Sequence, residues 1–337
     1  MKKIIVTGSA GFIGFHLSKL LLENGFKVLG VDNFTDYYDV NLKKTRNDQL
    51  QAYENFSLLK INIEDESFIL KASEFNPHYI VHLAAQAGVR YSLENPRTYI
   101  NTNIIGTFNI MEVSRISKVK HLLMASTSSV YGASTDMPFN EKTSTDHPLT
   151  IYAATKKANE SMAHSYSHLW KIPTTMFRFF TVYGPWGRPD LALFKFVNLI
   201  LQEKEIDIYN DGEMYRDFTY IDDLTKSILL LISCEPINSI DKNISLIEND
   251  NISEIAPFRI VNIGNSNKVK LLDFVDAIEE ELSIKAKRNY MPIQKGDVPA
   301  TWADATLLFN LTGFKPNTDI KHGISKFIEW FRDYYKV

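Results

Sequence analysis

Short apolar runs alternate with longer amphipathic runs through the first half of this chain, and this alternation constrains the fold more than any other feature of the sequence. Residues 3–7 are typical of a strand, and residues 11–24, which end before Gly25, are typical of a helix. The apolar runs that follow have no polar face, as expected of parallel strands that helices cover on both sides. The pattern therefore predicts an α/β fold with a doubly wound parallel sheet.

The alternation continues regularly as far as residue 180. Further strands are predicted at residues 28–32, 56–61, 78–83, 121–126 and 174–179. Helices are predicted between them at residues 66–75, 97–117 and 151–171. Together these elements predict one large Rossmann-like domain.

Beyond residue 180 the alternation breaks down. Residues 184–189 are typical of a loop, and residues 235–257, rich in Asn, Asp and Ser, predict a surface excursion. Helices are predicted at residues 191–202, 223–233, 270–281 and 321–335, and strands at residues 217–221 and 258–263. We expect a smaller α/β domain that interleaves with the large one. The large domain would comprise residues 1–180 plus roughly 212–234 and 258–264, and the smaller one roughly 181–211, 235–257 and 265–337.

Composition argues against several classes of protein. The 337 residues have a net charge of −3, with 45% hydrophobic and 23% charged residues, which is ordinary for a globular enzyme. The basic residues are scattered, so we expect no nucleic-acid partner. No apolar run reaches the length of about 18 residues that a membrane span requires, and the run after Lys3 is too short for a signal peptide. The single cysteine, Cys234, cannot form an internal disulfide and is expected in the core, which fits a cytoplasmic protein.

Residues 7–14, Thr-Gly-Ser-Ala-Gly-Phe-Ile-Gly, join the first predicted strand to the first predicted helix. Gly8, Gly11 and Gly14 lack a Cβ atom, so the backbone can turn sharply and a phosphate can approach it closely. The helix N-terminus adds free N–H groups and a partial positive charge. The spacing Gly-x-x-Gly-x-x-Gly differs from the commoner Gly-x-Gly-x-x-Gly, but it stands between a strand and a helix, as such a motif requires. This turn is therefore predicted to bind the pyrophosphate of a dinucleotide.

Asp32 ends the second predicted strand, 18 residues after Gly14. A carboxylate at this place accepts hydrogen bonds from an adenosine ribose and would repel a 2′-phosphate. The sequence therefore favours NAD over NADP as the cofactor.

Tyr152 and Lys156 are four residues apart at the start of a predicted helix, so their side chains share one face. A free tyrosine titrates near about 10, and a neighbouring ammonium group is expected to lower that pKa. Such a pair can accept a proton and return it later, which suits the oxidation of a sugar hydroxyl. His16, His82 and His121 lie on separate elements without the spacing of metal ligands, so no metal site is predicted.

Several longer motifs accompany the glycine turn, Asp32 and the Tyr-x-x-x-Lys pair. These are His-Leu-Ala-Ala at residues 82–85, Val-Tyr-Gly at 130–132 and Arg-Asp-Phe-Thr-Tyr at 216–220. The set resembles the extended short-chain dehydrogenase/reductase superfamily and its sugar-nucleotide members. Residues 31–40, 85–92 and 179–190 narrow the resemblance to the UDP-glucuronate 4-epimerases. The resemblance covers essentially the whole chain.

The resemblance implies a reaction with a tightly bound NAD that is reduced and re-oxidised in each turnover. Tyr152 would remove the 4-hydroxyl proton while C4 gives hydride to the nicotinamide. The 4-keto sugar would then rotate and take the hydride back on its other face. Lys156 would tune Tyr152 and contact the nicotinamide ribose, and Thr127 would hydrogen-bond the 4-oxygen and share in proton transfer.

The residues that follow Thr127 separate related activities. Dehydratases of this kind carry Asp-Glu at the next two positions, and glucuronate decarboxylases carry Glu at the second, whereas this chain has Ser128 and Ser129. Oxidised UDP-glucuronate is a β-keto acid, which loses carbon dioxide readily unless its carboxylate is held. Hydroxyl donors at Ser128, Ser129 and Thr181 are suited to hold it. Thr181 stands where glucose-type epimerases usually carry Asn, which points to a different group at C6. The resemblance therefore implies epimerisation of UDP-glucuronate to UDP-galacturonate.

The resemblance also implies a full set of binding residues. Those expected to contact the cofactor are Gly8, Gly11, Phe12, Ile13, Gly14, Asp32, Asn33, Asn62, Ile63, Leu83, Ala84, Ala85, Tyr152 and Lys156. Those expected to contact the substrate are Arg90, Thr127, Ser128, Ser129, Tyr152, Thr181, Arg188, Arg216 and Asp297. Arg216 is expected on the diphosphate, because a guanidinium group binds phosphate through two donors.

Two other activities remain open at this point. A 4-epimerase of a neutral UDP-sugar, either UDP-glucose or UDP-N-acetylglucosamine, would need fewer hydroxyl donors than the chain supplies. A non-catalytic NAD-binding protein would have no use for the set Thr127, Tyr152 and Lys156. The predicted helices 97–117 and 151–171 match the pair through which relatives form a four-helix interface, so we expect a homodimer.

Overall fold

A computed structural model describes residues 1–237, 247–248 and 250–337. Its strands are β1 Lys3–Thr7, β2 Lys27–Asp32, β3 Phe56–Lys60, β4 Tyr79–His82, β5 His121–Thr127, β6 Thr174–Phe179, β7 Thr181–Tyr183, β8 Glu205–Tyr209, β9 Tyr215–Tyr220, β10 Phe258–Ile263, β11 Lys268–Lys270, β12 Lys287–Met291 and β13 Ala300–Thr301. Part of the predicted excursion at residues 235–257 lies outside the described residues.

The helices flank these strands. They are α1 Phe12–Glu23, α2 Val40–Gln51, α3 Ser67–Glu74, α4 Tyr91–Glu94, α5 Pro96–Tyr99, α6 Thr107–Ser117, α7 Ile151–Trp170, α8 Ala192–Leu201, α9 Ile221–Leu231, α10 Leu271–Leu282, α11 Thr306–Thr312 and α12 Ile320–Tyr335. The segment Ile100–Gly106 between α5 and α6 is a π-helix. Among the described helices, none is both long and apolar enough to cross a membrane.

In the described part of the chain, the central sheet has seven strands in the order β10-β6-β5-β4-β1-β2-β3, all parallel. The predicted doubly wound parallel sheet is confirmed. The chain runs from β1 outward through β2 and β3 and then returns to β4 on the other side of β1. The strand order therefore reverses at β1 and β4, and a ligand cleft is expected at their carboxyl ends.

Strand β1 shows why the predicted strands have two apolar faces. Ile4 and Val6 pack in one hydrophobic core with Leu17 of α1. Ile5, between them, packs in the other core with Ile110 of α6. Successive side chains of a strand point to opposite faces, so each face of the sheet has its own helical layer.

Smaller sheets lie beyond the central one. Strand β9 pairs with β11, β13 and β7, and β12 pairs with β8 in parallel. Strand β10 follows the excursion in sequence yet forms an edge of the central sheet beside β6. The chain therefore crosses more than once between the central sheet and the smaller sheets.

Several elements were absent from the sequence prediction, among them helix α2. Its buried positions carry polar side chains, including Lys43, Arg46 and Asn47, so it lacks the apolar stripe that marks an amphipathic helix. Asp39 caps its N-terminus by accepting a hydrogen bond from the Asn41 amide. The predicted single helix at residues 97–117 is instead α5, the π-helix and α6 in succession.

Candidate functional site

A cleft of about 970 Å³ opens at the carboxyl ends of the central strands, where the strand order reverses. Residues from both the central sheet and the smaller sheets line it. All of the cofactor and substrate residues expected from the sequence lie along its walls, from Gly8 in the first turn to Asp297 near the end of the chain. The fold therefore brings these distant segments together at one place.

The glycine turn is packed tightly against itself. Gly8 has a φ of +71°, its N–H donates to the Val31 carbonyl (2.7 Å), and its own carbonyl accepts from the Gly11 N–H (2.9 Å). A Cβ atom on Gly14 would lie 2.0 Å from the Gly8 carbonyl oxygen. Helix α1 starts at Phe12 without a side-chain cap. Its first N–H groups therefore remain available to an anion, as a pyrophosphate site requires.

Asp32 connects this turn to the next loop. Its carboxylate accepts hydrogen bonds from the Ala10 amide (3.0 Å) and the Phe34 amide (2.9 Å). Burial raises the pKa of Asp32, although these amides and the nearby Lys43 act against that shift. Asn33 donates to the side-chain oxygen of Asn62 (2.7 Å) on the same wall. The turn, the carboxylate and this amide pair fit the phosphates, ribose and base of a dinucleotide.

Lys43 lines the same wall and was not expected from the sequence. It is buried on α2, and its ammonium group donates to the carbonyl and hydroxyl oxygens of Thr35 (2.6 and 3.0 Å). It also lies 4.3 Å from the ring centroid of Tyr38. Because α2 itself was not predicted, no sequence signal marked Lys43 as a site residue.

Lys156 and Tyr152 lie on the first turns of α7, facing the cleft. The Lys156 ammonium donates to the Ala125 carbonyl (2.9 Å), and burial lowers the pKa of Lys156 to about 8. Burial raises the pKa of Tyr152, while the Thr127 hydroxyl and Arg188 act in the lowering direction. The expected lowering of the Tyr152 pKa was therefore wrong for this structure, because burial disfavours the phenolate more than its neighbours stabilise it.

Thr127, at the end of β5, starts a cluster of hydroxyl groups. Its oxygen accepts a hydrogen bond from the Ser129 amide (3.2 Å) and donates to the Ser129 hydroxyl (3.2 Å). The bond from the Ser129 amide caps the short helical turn of residues 128–131. Ser128 and Thr181, the first residue of β7, line the same cleft. No carboxylate stands at either position after Thr127.

The other end of the cleft carries arginines. Arg90 forms an ion pair with Asp297 (2.9 Å) and lies 4.4 Å from the ring centroid of Tyr209. Arg216 donates to the Tyr215 carbonyl (2.9 Å). Burial lowers the pKa of Arg216, and Asp297 opposes that shift. These two guanidinium groups and one carboxylate form a site with net positive charge.

Arg188 lines the same cleft. Its Nε donates to the carboxylate of Asp190 (2.9 Å), and a second guanidinium nitrogen bonds the other oxygen of the same carboxylate. The Tyr37 hydroxyl also reaches Asp190 (3.4 Å). The sequence pointed to Arg188 but not to Asp190 or Tyr37, which hold it in place.

The π-helix contributes a buried link that the sequence did not reveal. The Asn103 side chain exchanges hydrogen bonds with the backbone of Gln86 (2.9 and 3.0 Å) and donates to the Thr155 hydroxyl (3.1 Å). The ring of Tyr99 meets that of Tyr152 edge-on at 6.1 Å. The loop after β4 is thereby fastened to α7, next to Tyr152 and Lys156.

Within the described residues, no group of three or more His, Cys, Asp or Glu side chains is arranged to hold a metal ion. His82 is buried between the hydroxyls of Thr7 (2.7 Å) and Thr107 (3.0 Å), and burial lowers its pKa to about 3. It is therefore a neutral, hydrogen-bonded core residue.

A Rossmann-like sheet with an uncapped glycine turn and a buried Tyr–Lys pair at its switch point defines a dinucleotide-dependent enzyme. The family model described as GDP-mannose 4,6 dehydratase matches residues 5–327, and the chain belongs to this family. Protein CapI of Staphylococcus aureus is 51% identical over 335 residues, which cover 99% of each chain. The probable UDP-glucuronate 4-epimerase of Rhizobium meliloti is 49% identical over 335 residues, 99% of this chain and 98% of that one.

A solved structure is similar over the same length. UDP-glucuronic acid 4-epimerase from Bacillus cereus, in complex with UDP-glucuronic acid and NAD, matches with a TM-score of 0.87 and 29% identity. The match covers 99% of this chain and 100% of that one. The predicted resemblance to sugar-nucleotide epimerases is confirmed by these matches.

Proposed function

We propose that the protein is an NAD-dependent UDP-glucuronate 4-epimerase, which interconverts UDP-glucuronate and UDP-galacturonate through a 4-keto sugar. The observation that carries this proposal is the hydroxyl cluster of Thr127, Ser128 and Ser129 beside Tyr152. Members of the family that remove water need an acid and a base at these positions. Serine supplies neither, so the site can oxidise C4 but has no acid or base there to remove water.

NAD is the cofactor, and when bound it would supply the acceptor and the donor of the hydride at C4 of the sugar. The residues that would hold it are Gly8, Gly11, Phe12, Ile13, Gly14, Asp32, Asn33, Asn62, Ile63, Leu83, Ala84, Ala85, Tyr152 and Lys156. The pyrophosphate belongs at the N-terminus of α1, since its amides are uncapped and the turn is so tight that a Cβ on Gly14 would clash with the Gly8 carbonyl.

The proton of the 4-hydroxyl goes to the phenolate oxygen of Tyr152. Because its pKa is raised, Tyr152 is a strong proton acceptor once ionised, but it does not ionise readily by itself. Neighbouring groups must therefore share in the proton transfer. Thr127 lies beside the phenol and offers a hydroxyl that can both accept and donate. Lys156, anchored on the Ala125 carbonyl, keeps a positive charge close to the reacting groups.

The substrate's carboxylate is held by Ser128, Ser129 and Thr181 in this proposal. A hydroxyl donates a charge-assisted hydrogen bond to a carboxylate without removing its charge. Holding the carboxylate keeps its C–C bond out of alignment with the new carbonyl group, which prevents loss of carbon dioxide. At the other end, Arg216, Arg188 and Arg90 would bind the diphosphate and nucleotide, with Asp297 orienting Arg90.

The decisive experiment is analysis of the product formed from UDP-glucuronate by mass spectrometry and NMR. The proposal predicts an epimer of unchanged mass. A product lighter by carbon dioxide would instead show a decarboxylase. UDP-glucose and UDP-N-acetylglucosamine, assayed in parallel, should turn over more slowly, and an equal or faster rate on UDP-glucose would contradict the specificity proposed here.

Replacing Tyr152 by phenylalanine separates catalysis from cofactor binding. Tyr152→Phe removes the proton acceptor but keeps the ring, so turnover should fall by about 10²- to 10⁴-fold while NAD stays bound. The measurements are the initial rate and the NAD content of the purified protein. Activity close to that of the wild type would show that another group accepts the proton.

The proposal extends to the organisation of the protein. Residues 1–180 with roughly 212–234 and 258–264 would bind NAD, and roughly 181–211, 235–257 and 265–337 would bind the sugar nucleotide. A homodimer would form through α5, α6 and α7, where exposed apolar side chains accumulate, including Phe108, Leu169 and Trp170. A cytoplasmic location belongs to the same proposal, since the lone thiol of Cys234 fits a reducing compartment.

A further inference from the structure

Arg46, on α2, is fully buried and joins three segments of the cleft wall. One of its terminal nitrogens donates to the Ala10 carbonyl (3.0 Å) and to the Tyr38 hydroxyl (2.8 Å). The other donates to the carbonyls of Trp186 (2.5 Å) and Gly187 (3.4 Å). Ala10 belongs to the glycine turn, whereas Trp186 and Gly187 directly precede Arg188.

A buried guanidinium group normally pairs with a carboxylate, because removing its charge from water is costly. Within the described residues, Arg46 has no carboxylate within ion-pair distance, and its acceptors are three backbone carbonyls and one phenol. Asp32 acts on it only from a distance, and burial lowers the pKa of Arg46. Burying the Arg46 charge without a carboxylate partner is unfavourable for stability. We therefore attribute its presence to the segments that it connects, the glycine turn and residues 186–187.

The loop that Arg46 holds has an unfavourable backbone. Trp186 has a φ of +59°, a conformation that a bulky side chain adopts only when its surroundings impose it. Its ring is packed against Phe15 of α1 (5.6 Å) and Trp330 of α12 (5.2 Å), while its carbonyl is held by Arg46. The position of Arg188, two residues further on, depends on this conformation.

A second link connects the loop after β2 to the same substrate loop. The Tyr37 hydroxyl donates to Asp190 (3.4 Å), and the Arg188 guanidinium lies 6.0 Å from the Tyr37 ring centroid. Tyr37 adjoins Tyr38, the phenol that Arg46 bonds. The loop of residues 184–190 is therefore tied to the cofactor turn through the buried Arg46, and to the loop after β2 through the half-buried Tyr37.

We propose that Arg46 is a positioning residue that couples the cofactor turn to the substrate loop, so that Arg188 keeps its hold while the sugar rotates. This inference rests on the proposed function, in which the nucleotide must stay bound between two hydride transfers. When the loop is loosened, the 4-keto sugar leaves before hydride returns. Each such event releases one UDP-4-keto sugar and leaves one NADH on the enzyme. The Tyr152 proton then passes to solvent.

The test uses Arg46→Lys, which keeps the charge but cannot reach both segments at once. We expect KM for UDP-glucuronate to rise about tenfold or more, since small displacements at such sites have large effects. We also expect absorbance at 340 nm to grow during turnover as NADH is stranded. A purely structural role would lower thermal stability without producing stranded NADH.

The matched control is Arg259→Lys. Arg259 is also buried, on the edge strand β10, but it pairs with Asp250 (2.7 Å) and does not line the cleft. Its replacement should lower the melting temperature and leave KM and stranded NADH unchanged. An Arg46→Lys variant that behaves like Arg259→Lys, folded and loaded with NAD, would overturn the proposal.

Two further measurements keep the proposal testable. If Arg46→Lys does not fold, Tyr37→Phe removes the second link alone, and it should raise KM and stranded NADH in the same direction but less. Calorimetry with UDP alone separates this inference from the proposed reaction. Wild-type protein inactive on UDP-glucuronate would contradict the reaction, while unchanged UDP affinity in Arg46→Lys would contradict the coupling.

Discussion

At the scale of single residues, we predict that Ser128 and Ser129 decide which product leaves the site. Changing both to alanine removes the two hydroxyl groups that we propose as donors to the substrate's carboxylate, and each such hydrogen bond would contribute about 1.5–3 kcal/mol. Two such bonds total about 3–6 kcal/mol, so KM for UDP-glucuronate should rise about a hundredfold or more, and the share of product that has lost carbon dioxide should increase severalfold. NMR of the product mixture measures both epimer and pentose. Exposed Ser57 on β3, changed to alanine, is the control, and an unaltered product ratio in the double variant would show that other groups hold the carboxylate.

Glu141 sets a pH dependence of stability that is separate from catalysis. Burial raises its pKa from 4.5 to about 7, and its carboxylate accepts from the Asn262 amide (2.8 Å). Because the folded-state pKa is the higher one, folding favours the protonated acid. Its contribution to stability is full below about pH 4.5 and is lost as the pH rises through about 7.

The variant Glu141→Gln should remove this dependence, since an amide oxygen can still accept from Asn262. Relative to the variant, the wild type should lose about 2 kcal/mol of unfolding free energy between pH 5 and pH 8. Urea unfolding at several pH values measures the difference. Parallel curves for the two proteins would mean that Glu141 ionises normally in the fold.

At the scale of elements, the spacing of apolar residues along the chain decided which strands and helices could be predicted from the sequence. Strand β1 and helix α1 were visible because Ile4, Ile5 and Val6 are apolar on both faces and Leu17 and its neighbours repeat at helical spacing. Helix α2 was not, since its buried face carries Lys43 and Arg46. Sequence periodicity reports burial of apolar groups, so an element that buries hydrogen-bonded polar groups gives no such signal.

The glycine turn is the element whose geometry is most sensitive to a single substitution. A methyl group on Gly14 would lie 2.0 Å from the Gly8 carbonyl, so Gly14→Ala must push the turn open. Overpacking of this kind costs about 1–3 kcal/mol. If that cost appears as a loss of NAD binding energy, NAD affinity should fall about tenfold or more. Fluorescence or calorimetric titration with NAD measures the change.

The matched control for that variant is Gly25→Ala. Gly25 has a φ of +75° with open space around it, so alanine there should cost about 1 kcal/mol of stability through backbone strain alone. Its NAD affinity should match the wild type. Equal losses of NAD affinity in both variants would mean that general destabilisation, and not the turn, is responsible.

At the scale of the whole molecule, the site could be predicted because its parts sit at the ends of strands. The carboxyl ends of parallel strands share one edge of the sheet, so motifs after β1, β2, β4 and β5 converge there. Lys43 and Arg46 lie outside all of the motifs, and only the packed chain shows that Lys43 lines the cleft and that Arg46 is buried behind its wall. The raised pKa of Tyr152 likewise depends on burial by distant segments, which the spacing to Lys156 does not contain.

The largest remaining expectation concerns a second copy of the chain. The helices α6 and α7 and the π-helix that precedes α6 expose large apolar side chains on the protein surface: Ile100, Ile105, Phe108, Ile116, Ile151, Leu169 and Trp170. Phe108 and Tyr166 meet edge-on (6.3 Å), and Tyr166 packs on Trp170 (4.4 Å), so the two helices carry a shared aromatic surface. Apolar surface of this kind is typical of an interface.

A homodimer through these helices makes a specific prediction for two exposed leucines. Leu169→Glu, on α7, places a charge in the interface and should shift the protein toward monomer. Leu70→Glu, on α3, changes an equally exposed leucine (71% against 63%) outside the helix pair and should leave the dimer intact. Size-exclusion chromatography with light scattering gives the mass. A wild type that elutes only as single chains would mean that this surface is not a dimer interface, and a dimer unaffected by Leu169→Glu would place the interface elsewhere.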